Sequence, residues 1–246
     1  VNKWLLYVVD PCLLEQAKAL AAVTGDLQVV SLPPRQNEVY LQLDATGLAI
    51  ISPQLLPLYI NEFYTKLNHR REKLGQELLI QAVKLRPETR AVILDLTAGL
   101  GKDAVLLASF GYQVTMVERN PILATILHYA LSQEIIPQRN LTLIYANSLE
   151  FLANYSGPHP QVIYLDPMFK EQKAAKAKKD MQLIQMLTHR EEILANQDQQ
   201  LFQLSLHLAP AKLIVKRDNK QLPLALTPKV SYVKQGKTVR YDVYTN

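Results

Sequence analysis

The sequence predicts an α/β fold: a seven-stranded, mostly parallel sheet that ends in an antiparallel hairpin, with a small α/β unit ahead of it. Three observations predict this. Helix-like and strand-like segments alternate from Gln76 onward, five of the strand-like segments are apolar almost without interruption, and the last stretch folds back around a glycine. Uninterrupted apolar strands point to burial on both faces, as in a parallel sheet covered by helices, whereas a hairpin turn requires antiparallel partners.

Residues 4–9 read as a buried strand, and residues 13–23 as a helix because Leu13, Leu14, Ala17, Leu20 and Ala21 share one face. Beyond Pro33-Pro34, residues 39–43 alternate like a strand, Asp44 to Gly47 supply a turn, and residues 48–51 form a second short strand. These elements define a small N-terminal α/β domain over residues 1–65, joined by the basic stretch 66–73 to a larger domain over residues 66–246. There, Leu78, Leu79, Ala82 and Val83 mark an amphipathic helix ahead of the first strand. The five apolar strands are residues 91–96, 113–117, 141–145, 161–165 and 212–215. Asn120-Pro121 opens a helix that continues through residues 123–131, since asparagine caps free amides and proline is pre-set for the first helical position. Residues 229–234 and 238–244 form the closing hairpin around Gln235-Gly236-Lys237, which brings the sheet to seven strands.

A chain of 246 residues with 48% hydrophobic content can bury a full core, and its net charge of +5 favours a polyanionic partner. The single cysteine, Cys12, excludes an intrachain disulfide, which suits a reducing compartment, and it is expected to be buried. Residues 4–9 are too short for a signal core and stop at Asp10-Pro11, and no run reaches membrane-spanning length, so a cytoplasmic location is expected. The chain begins at Val1, which is expected to follow removal of an initiator residue or a few more. His69, His128, His159, His189 and His207 lack ligand spacing, and no metal is expected.

Candidate chemistry gathers at the strand ends. Asp95-Leu-Thr-Ala-Gly99-Leu-Gly101-Lys-Asp103 lies where the first strand gives way to a helix, the edge at which open α/β sheets bind ligands. Gly99 and Gly101 permit a tight turn and close approach of a ligand, and Glu118, at the end of the next strand, can accept both hydroxyl protons of a ribose. With Ala104 the string also fits a nicotinamide dinucleotide fingerprint. Carboxylates at Asp95 and Asp103 suit a cationic cofactor such as S-adenosylmethionine better than a pyrophosphate. Asn147-Ser148, after the third strand, can reach an adenine edge, although each of these residues alone would be an ordinary loop or capping residue.

Asp166-Pro167-Met168-Phe169 closes the fourth strand. The Asp166 carboxylate and Pro167 carbonyl can accept the hydrogens of a planar exocyclic amine and stabilise positive charge on its nitrogen, and Phe169 offers a face for a base. Asp-Pro also starts ordinary turns after strands, and Met-Phe can be core. Lys216-Arg217 ends the fifth strand and is read as a contact to substrate phosphate, against a structural ion pair with Asp218 or Asp242. Arg70 and Arg71 are read as contacts to RNA phosphate, against a solvated basic face. Five lysines in residues 170–179 read equally as an RNA-gripping loop or a solvated helix face.

Together, Asp95-Leu-Thr-Ala-Gly-Leu-Gly-Lys-Asp103, Val117-Glu-Arg-Asn-Pro121, Tyr164-Leu-Asp-Pro-Met-Phe169 and Val215-Lys-Arg217 resemble the bacterial small-subunit ribosomal RNA guanine-N2 methyltransferase family over residues 66–246. The resemblance implies a class I, Rossmann-like methyltransferase fold, S-adenosylmethionine as donor, and a specific guanine of 16S ribosomal RNA, free or in the small ribosomal subunit, as acceptor. It also implies cofactor contacts at Lys102-Asp103, Glu118-Arg119, Asn147-Ser148 and Asp166. His69-Arg70-Arg71 matches the family too, whereas Glu72 to Glu77 departs from its glycine-rich tract and Asn147 stands where the family has serine. The residues themselves leave open a methyltransferase acting on adenine or glutamine, a nicotinamide-dependent oxidoreductase, and an RNA-binding module with a vestigial cleft.

Overall fold

The computed structural model describes residues 3–67, 70, 73–85, 91–137, 139–167, 182 and 195–245. These fall into two compact units.

The first unit holds strand β1 (Trp4–Val8), helix α1 (Leu14–Ala22), strands β2 (Leu27–Val30), β3 (Tyr40–Asp44), β4 (Gly47–Ser52) and β5 (Leu55–Tyr59), helix α2 (Ile60–Thr65), and the helix Pro121–Ser132. Its sheet runs β2-β1-β3-β4-β5, with β1 parallel to β2 and β3, and β4 antiparallel to β3 and β5. Sequence patterning points to three of the five strands. β2 has only four residues behind a glycine turn, and β5 carries Pro57, which argues against a strand unless, as here, the strand lies at a sheet edge. Cys12 is exposed, not buried, because the Asp10 carboxylate accepts its N–H (2.9 Å) and winds Pro11–Leu13 into a surface turn.

Gly47 has φ 129°, and a Cβ there would lie 2.8 Å from the Tyr129 hydroxyl oxygen. Both backbone strain and the clash oppose any side chain. Gly47→Ala is expected to destabilise the protein by about 2 kcal/mol and lower Tm by about 4–8 °C in thermal unfolding.

The second unit contains helix α3 (Leu78–Val83), strand β6 (Val92–Asp95), helix α4 (Lys102–Ser109) and strand β7 (Gln113–Glu118). Counting Pro121–Ser132 as α5, it continues with β8 (Leu141–Tyr145), α6 (Ser148–Ala153), β9 (Val162–Leu165), α7 (Ala195–His207), β10 (Lys212–Asp218), β11 (Tyr232–Gln235) and β12 (Val239–Thr245). The sheet order is β11-β12-β10-β9-β6-β7-β8. β6 to β10 are mutually parallel, and β12 runs against both β10 and β11. The expected seven strands and terminal hairpin are therefore present. Asn120 caps α5 as expected, accepting the N–H groups of Ile122 and Leu123.

β9 is buried throughout, whereas β8 is not: Leu141 is buried but Tyr145 is 37% exposed. β8 is an edge strand paired with β7 alone, so its apolar run does not signal burial on both faces. The core joins Leu94, Val117, Ile163, Leu213 and Val215 of the sheet to Leu152, Leu201 and Phe202 of α6 and α7. Phe202 meets Tyr244 edge to face at 4.9 Å. Lys212 donates to the carbonyls of Ala82 and Lys84, placing a cation at the C-terminus of α3.

What positions a site is the order of strands. The chain steps from β6 to β7 and β8 on one side, then returns so that β9 pairs with β6 on the other. In open α/β sheets ligands bind at such a reversal, beyond the carboxyl ends of the strands, and here Asp95 ends β6 and Asp166 follows β9.

Candidate active site

β6 ends at Asp95 and the chain turns through Gly99 (φ 56°) and Gly101 (φ 66°) into α4. Both glycines take the left-handed conformation that glycine adopts without strain, in keeping with the tight turn expected of them. The Gly99 N–H donates to Glu118 Oε2 at 2.7 Å, so the end of β7 fixes the tip of the turn. Ser148 Oγ donates to the Leu96 carbonyl (2.6 Å), and Asn147 Oδ1 caps α6 by accepting the Leu149 N–H (2.9 Å). Both side chains thus shape the strand ends as well as standing beside them. Thr97 ties the two central strands together: its N–H donates to Asp95 Oδ1 (3.1 Å), and its Oγ1 accepts the backbone N–H of Asp166 (2.6 Å).

A cluster of charge fills this edge. Lys216 Nζ lies 2.8 Å from Asp103 Oδ2 and 2.7 Å from Asp166 Oδ2. Tyr164 donates its hydroxyl to Asp103 Oδ2 at 2.7 Å. Arg70 forms a two-pronged pair with Glu77 (2.9 and 2.8 Å) and sets Nη1 3.9 Å from Asp103 Oδ1. Burial pushes the Asp103 carboxyl up, but Lys216 and the Tyr164 hydroxyl outweigh it and hold the group below its usual range. Burial likewise opposes the Lys216 charge, and the two carboxylates overcome it, raising its pKa well above the ordinary lysine value. Asp166 is raised, by burial and the neighbouring Asp103 charge against the pull of Lys216. Asp95, 2% exposed, is pushed up to about 8 by burial, against the Thr97 N–H and with the charges of Asp103, Asp166 and Glu118.

Of the residues the sequence nominates, Asp95, Gly99, Asp103, Glu118, Asn147, Ser148, Asp166 and Lys216 are tied to this sheet edge by these bonds, and Gly101 by its N–H to the Ala98 carbonyl (2.7 Å). Pro167 is buried next to Asp166, and Lys102 begins α4. Lys216 differs from expectation: its ammonium is held between two carboxylates, neither of them Asp218 nor Asp242, because Ile214 pairs with Tyr164 and the strand alternation turns Lys216 to the face of Asp166. Arg217 donates to the Leu222 carbonyl (3.1 and 2.8 Å), and Arg119 donates to Gln197 on α7 (2.8 Å). Asp242 pairs instead with Arg240 (2.7 Å). Phe169, Arg71 and residues 170–179 lie outside the described residues.

Sequence reasoning gives no role to Thr97, to Tyr164, or to Tyr241, which is buried on β12 opposite Lys216. Tyr164 and Asp166 do share a strand face by alternation, which is the signal that could have found the first tyrosine. Thr97→Val would leave the Asp166 N–H without its acceptor, a loss of about 1–3 kcal/mol. Thermal unfolding should show a Tm lower by several degrees, and methyl transfer should slow as Asp166 loses its tether.

The acids Asp95, Asp103, Glu118 and Asp166 outnumber the bases Lys216 and Arg70 at this edge, and burial with the neighbouring acids pushes the Asp95 carboxyl up to about 8. Such an edge accepts a ligand cation and repels a pyrophosphate. S-adenosylmethionine, with its sulfonium and ammonium charges, fits these residues. Sheet order, glycine turn and acidic edge together define a class I S-adenosylmethionine-dependent methyltransferase. The profile of the family described as "Putative SAM-dependent methyltransferase" matches residues 26–246. A ribosomal RNA small subunit methyltransferase J of Stutzerimonas stutzeri is 34% identical, over 93% of this chain and 92% of that protein. Its namesake in Dechloromonas aromatica is also 34% identical, covering 88% and 92%. The chain belongs to the ribosomal RNA small subunit methyltransferase J family. A crystal structure of a SAM-dependent methyltransferase from Neisseria gonorrhoeae shares the fold, with a TM-score of 0.74 over 98% of this chain and 95% of that one at 24% identity.

No described helix is long and apolar enough to cross a membrane, and no group of three or more potential metal-ligating side chains gathers among the described residues.

Proposed function

We propose that this enzyme methylates the exocyclic N2 amine of a guanine in 16S ribosomal RNA, presented as RNA or within the small ribosomal subunit in the cytoplasm. The observation that carries the reading is Asp166, a carboxylate at the end of β9 whose backbone is tethered through Thr97 to the start of the glycine turn. The small-subunit ribosomal RNA acceptor comes from the name that the relatives carry. When bound, S-adenosylmethionine supplies an electrophilic methyl group on a sulfonium.

The residues do the rest. Asp95, Asp103 and Glu118 favour the cofactor's positive charges and ribose hydroxyls, and the Gly99–Gly101 turn lets it approach the backbone. Asp166 and the Pro167 carbonyl accept the hydrogens of the target amine, which frees its nitrogen lone pair from the ring. That pair would then take the methyl group that bound S-adenosylmethionine supplies, with the C–S bonding electrons left on sulfur. The surplus proton on nitrogen then passes to Asp166 or to water. Hydrogen bonds set in advance toward the developing charge are the main source of rate acceleration in such a site.

Mass spectrometry of 16S ribosomal RNA from a deletion strain tests the acceptor directly. A single N2-methylguanine should disappear and return on complementation; loss of a methyladenine, or an unchanged RNA, would overturn the reading. Calorimetry tests the cofactor, with saturable binding of S-adenosylmethionine and none of NADH expected.

Arg70 and Arg217 both have partners within the chain, so we assign them to shaping the rim and not to phosphate contact. Removing one phosphate contact lowers the slope of log K against log salt by about 0.9. Arg217→Ala is accordingly expected to leave that slope unchanged in RNA-binding titrations, and a slope reduced by one contact would restore the phosphate role.

A further inference from the structure

The chemistry proposed above makes no use of Lys216, yet its ammonium lies 2.7 Å from Asp166 Oδ2 and 2.8 Å from Asp103 Oδ2. Register delivers it there: Lys216 shares a face with Asp166 across β9 and pairs directly with Tyr241 on β12. Its side chain is 23% exposed. A lysine free of such constraint would extend into water, because its ammonium is strongly hydrated and its stem flexible.

We propose that Lys216 is a positioning residue for methyl transfer, an ammonium clamp that holds the Asp166 carboxylate charged and fixed for the acceptor amine while Asp103 anchors the clamp from its other side. The proposal rests on the reading of Asp166 as the acceptor of the amine's hydrogens. A protonated Asp166 would keep only a neutral carbonyl oxygen as acceptor, and the charge-assisted bond that frees the lone pair and stabilises the positive nitrogen would be lost.

The surroundings make the clamp necessary. Asp103 from α4 and Glu118 from β7 add carboxylates at this edge, Asp95 from β6 lies among them with its carboxyl pushed up to about 8, Tyr164 from β9 and Tyr241 from β12 are buried beside it, and Arg70 is directed at Glu77 and Asp103. Burial and Asp103 push the Asp166 carboxyl up, and the opposing pull comes from Lys216. Lys216 itself escapes methylation, since two carboxylates keep it protonated and an ammonium has no lone pair to attack with. The proton released by the acceptor nitrogen goes to Asp166 or water; Lys216 keeps its own.

The test measures methyl transfer to small ribosomal subunits from a deletion strain, at saturating S-adenosylmethionine, between about pH 6 and about pH 9.5. Lys216→Met should lower kcat at least about 30-fold at neutral pH, with the deficit shrinking as pH rises and KM for the subunit changing less than about threefold. Lys216→Arg keeps the charge and should keep the wild-type profile. A deficit equal at every pH, or an undiminished rate, would overturn the clamp. If the methionine variant does not fold, Lys216→Gln takes its place. The carbon-13 signal of the Asp166 carboxyl in the wild-type protein, identified by its loss in Asp166→Asn, decides without any variant's activity: ionised at neutral pH supports the clamp, protonated overturns it. That signal also separates the two readings, because a wild-type enzyme that methylated no ribosomal RNA would refute the acceptor while leaving the carboxyl titration to judge Lys216.

Discussion

Asp166→Ala is expected to lower kcat by about 100- to 1000-fold while changing RNA affinity by less than about twofold, the signature of an interaction made chiefly in the transition state. The side chain has two tasks in the proposed reaction. It accepts a hydrogen from the amine before transfer, and it stabilises the positive nitrogen during it. Neither contributes much to holding a long polyanion, whose binding is dominated by phosphate contacts. The variant should fold, because Lys216 keeps its 2.8 Å partner in Asp103 and the Asp166 N–H keeps Thr97. Asp166→Asn retains a neutral acceptor and should fall between the two. Single-turnover methyl transfer with parallel RNA-binding titrations checks both quantities. An alanine variant with normal turnover would remove Asp166 from the mechanism, and one that lost RNA affinity with kcat intact would make it a binding residue.

Much of this site could be read from order along the chain. The glycine turn, Glu118 and Asp166 each sit where a strand gives way to a loop, and parallel strands bring all their carboxyl ends to one edge. Sequence position therefore served as a proxy for spatial position. What sequence could not supply was lateral register. That Ile214 stands opposite Tyr164, and so directs Lys216 at Asp166 and not outward to solvent, depends on a one-residue choice that apolar patterning on a strand buried on both faces does not fix. Thr97 was hidden for a similar reason: its hydroxyl matters because β6 and β9 are neighbours, although 69 residues separate it from Asp166. In the N-terminal unit the losses were local. Pro57 disguised an edge strand, and the short surface turn at Pro11–Leu13 exposed a cysteine that composition alone would bury.

Asp95→Asn should stabilise the cofactor-free protein and weaken its hold on S-adenosylmethionine, with both effects growing as pH rises. The native carboxyl is pushed from the usual 3.8 up to about 8 by burial and by the charges of Asp103, Asp166 and Glu118. Between those values the unfolded chain has lost the proton and the folded chain keeps it, so the group contributes a stability that falls as pH rises and levels off above the folded value. Every tenfold change in proton affinity is worth about 1.4 kcal/mol, and with relaxation of the site the total is of the order of a few kcal/mol. Asparagine removes this dependence. Tm of the cofactor-free variant should match wild type near pH 4 and exceed it by several degrees at about pH 8.5. A bound cation reverses the balance, because it favours ionised Asp95. Wild-type binding of S-adenosylmethionine at neutral pH should therefore release a fraction of a proton approaching one and tighten as pH rises, whereas Asp95→Asn should bind about 10- to 100-fold more weakly with that component of release gone. Calorimetry in buffers of different ionisation enthalpy measures the proton count. Equal release by both proteins would place the sulfonium and ammonium away from Asp95, and a wild-type Tm that rose from pH 5 to pH 8 relative to the variant would contradict the direction in which burial moves this carboxyl.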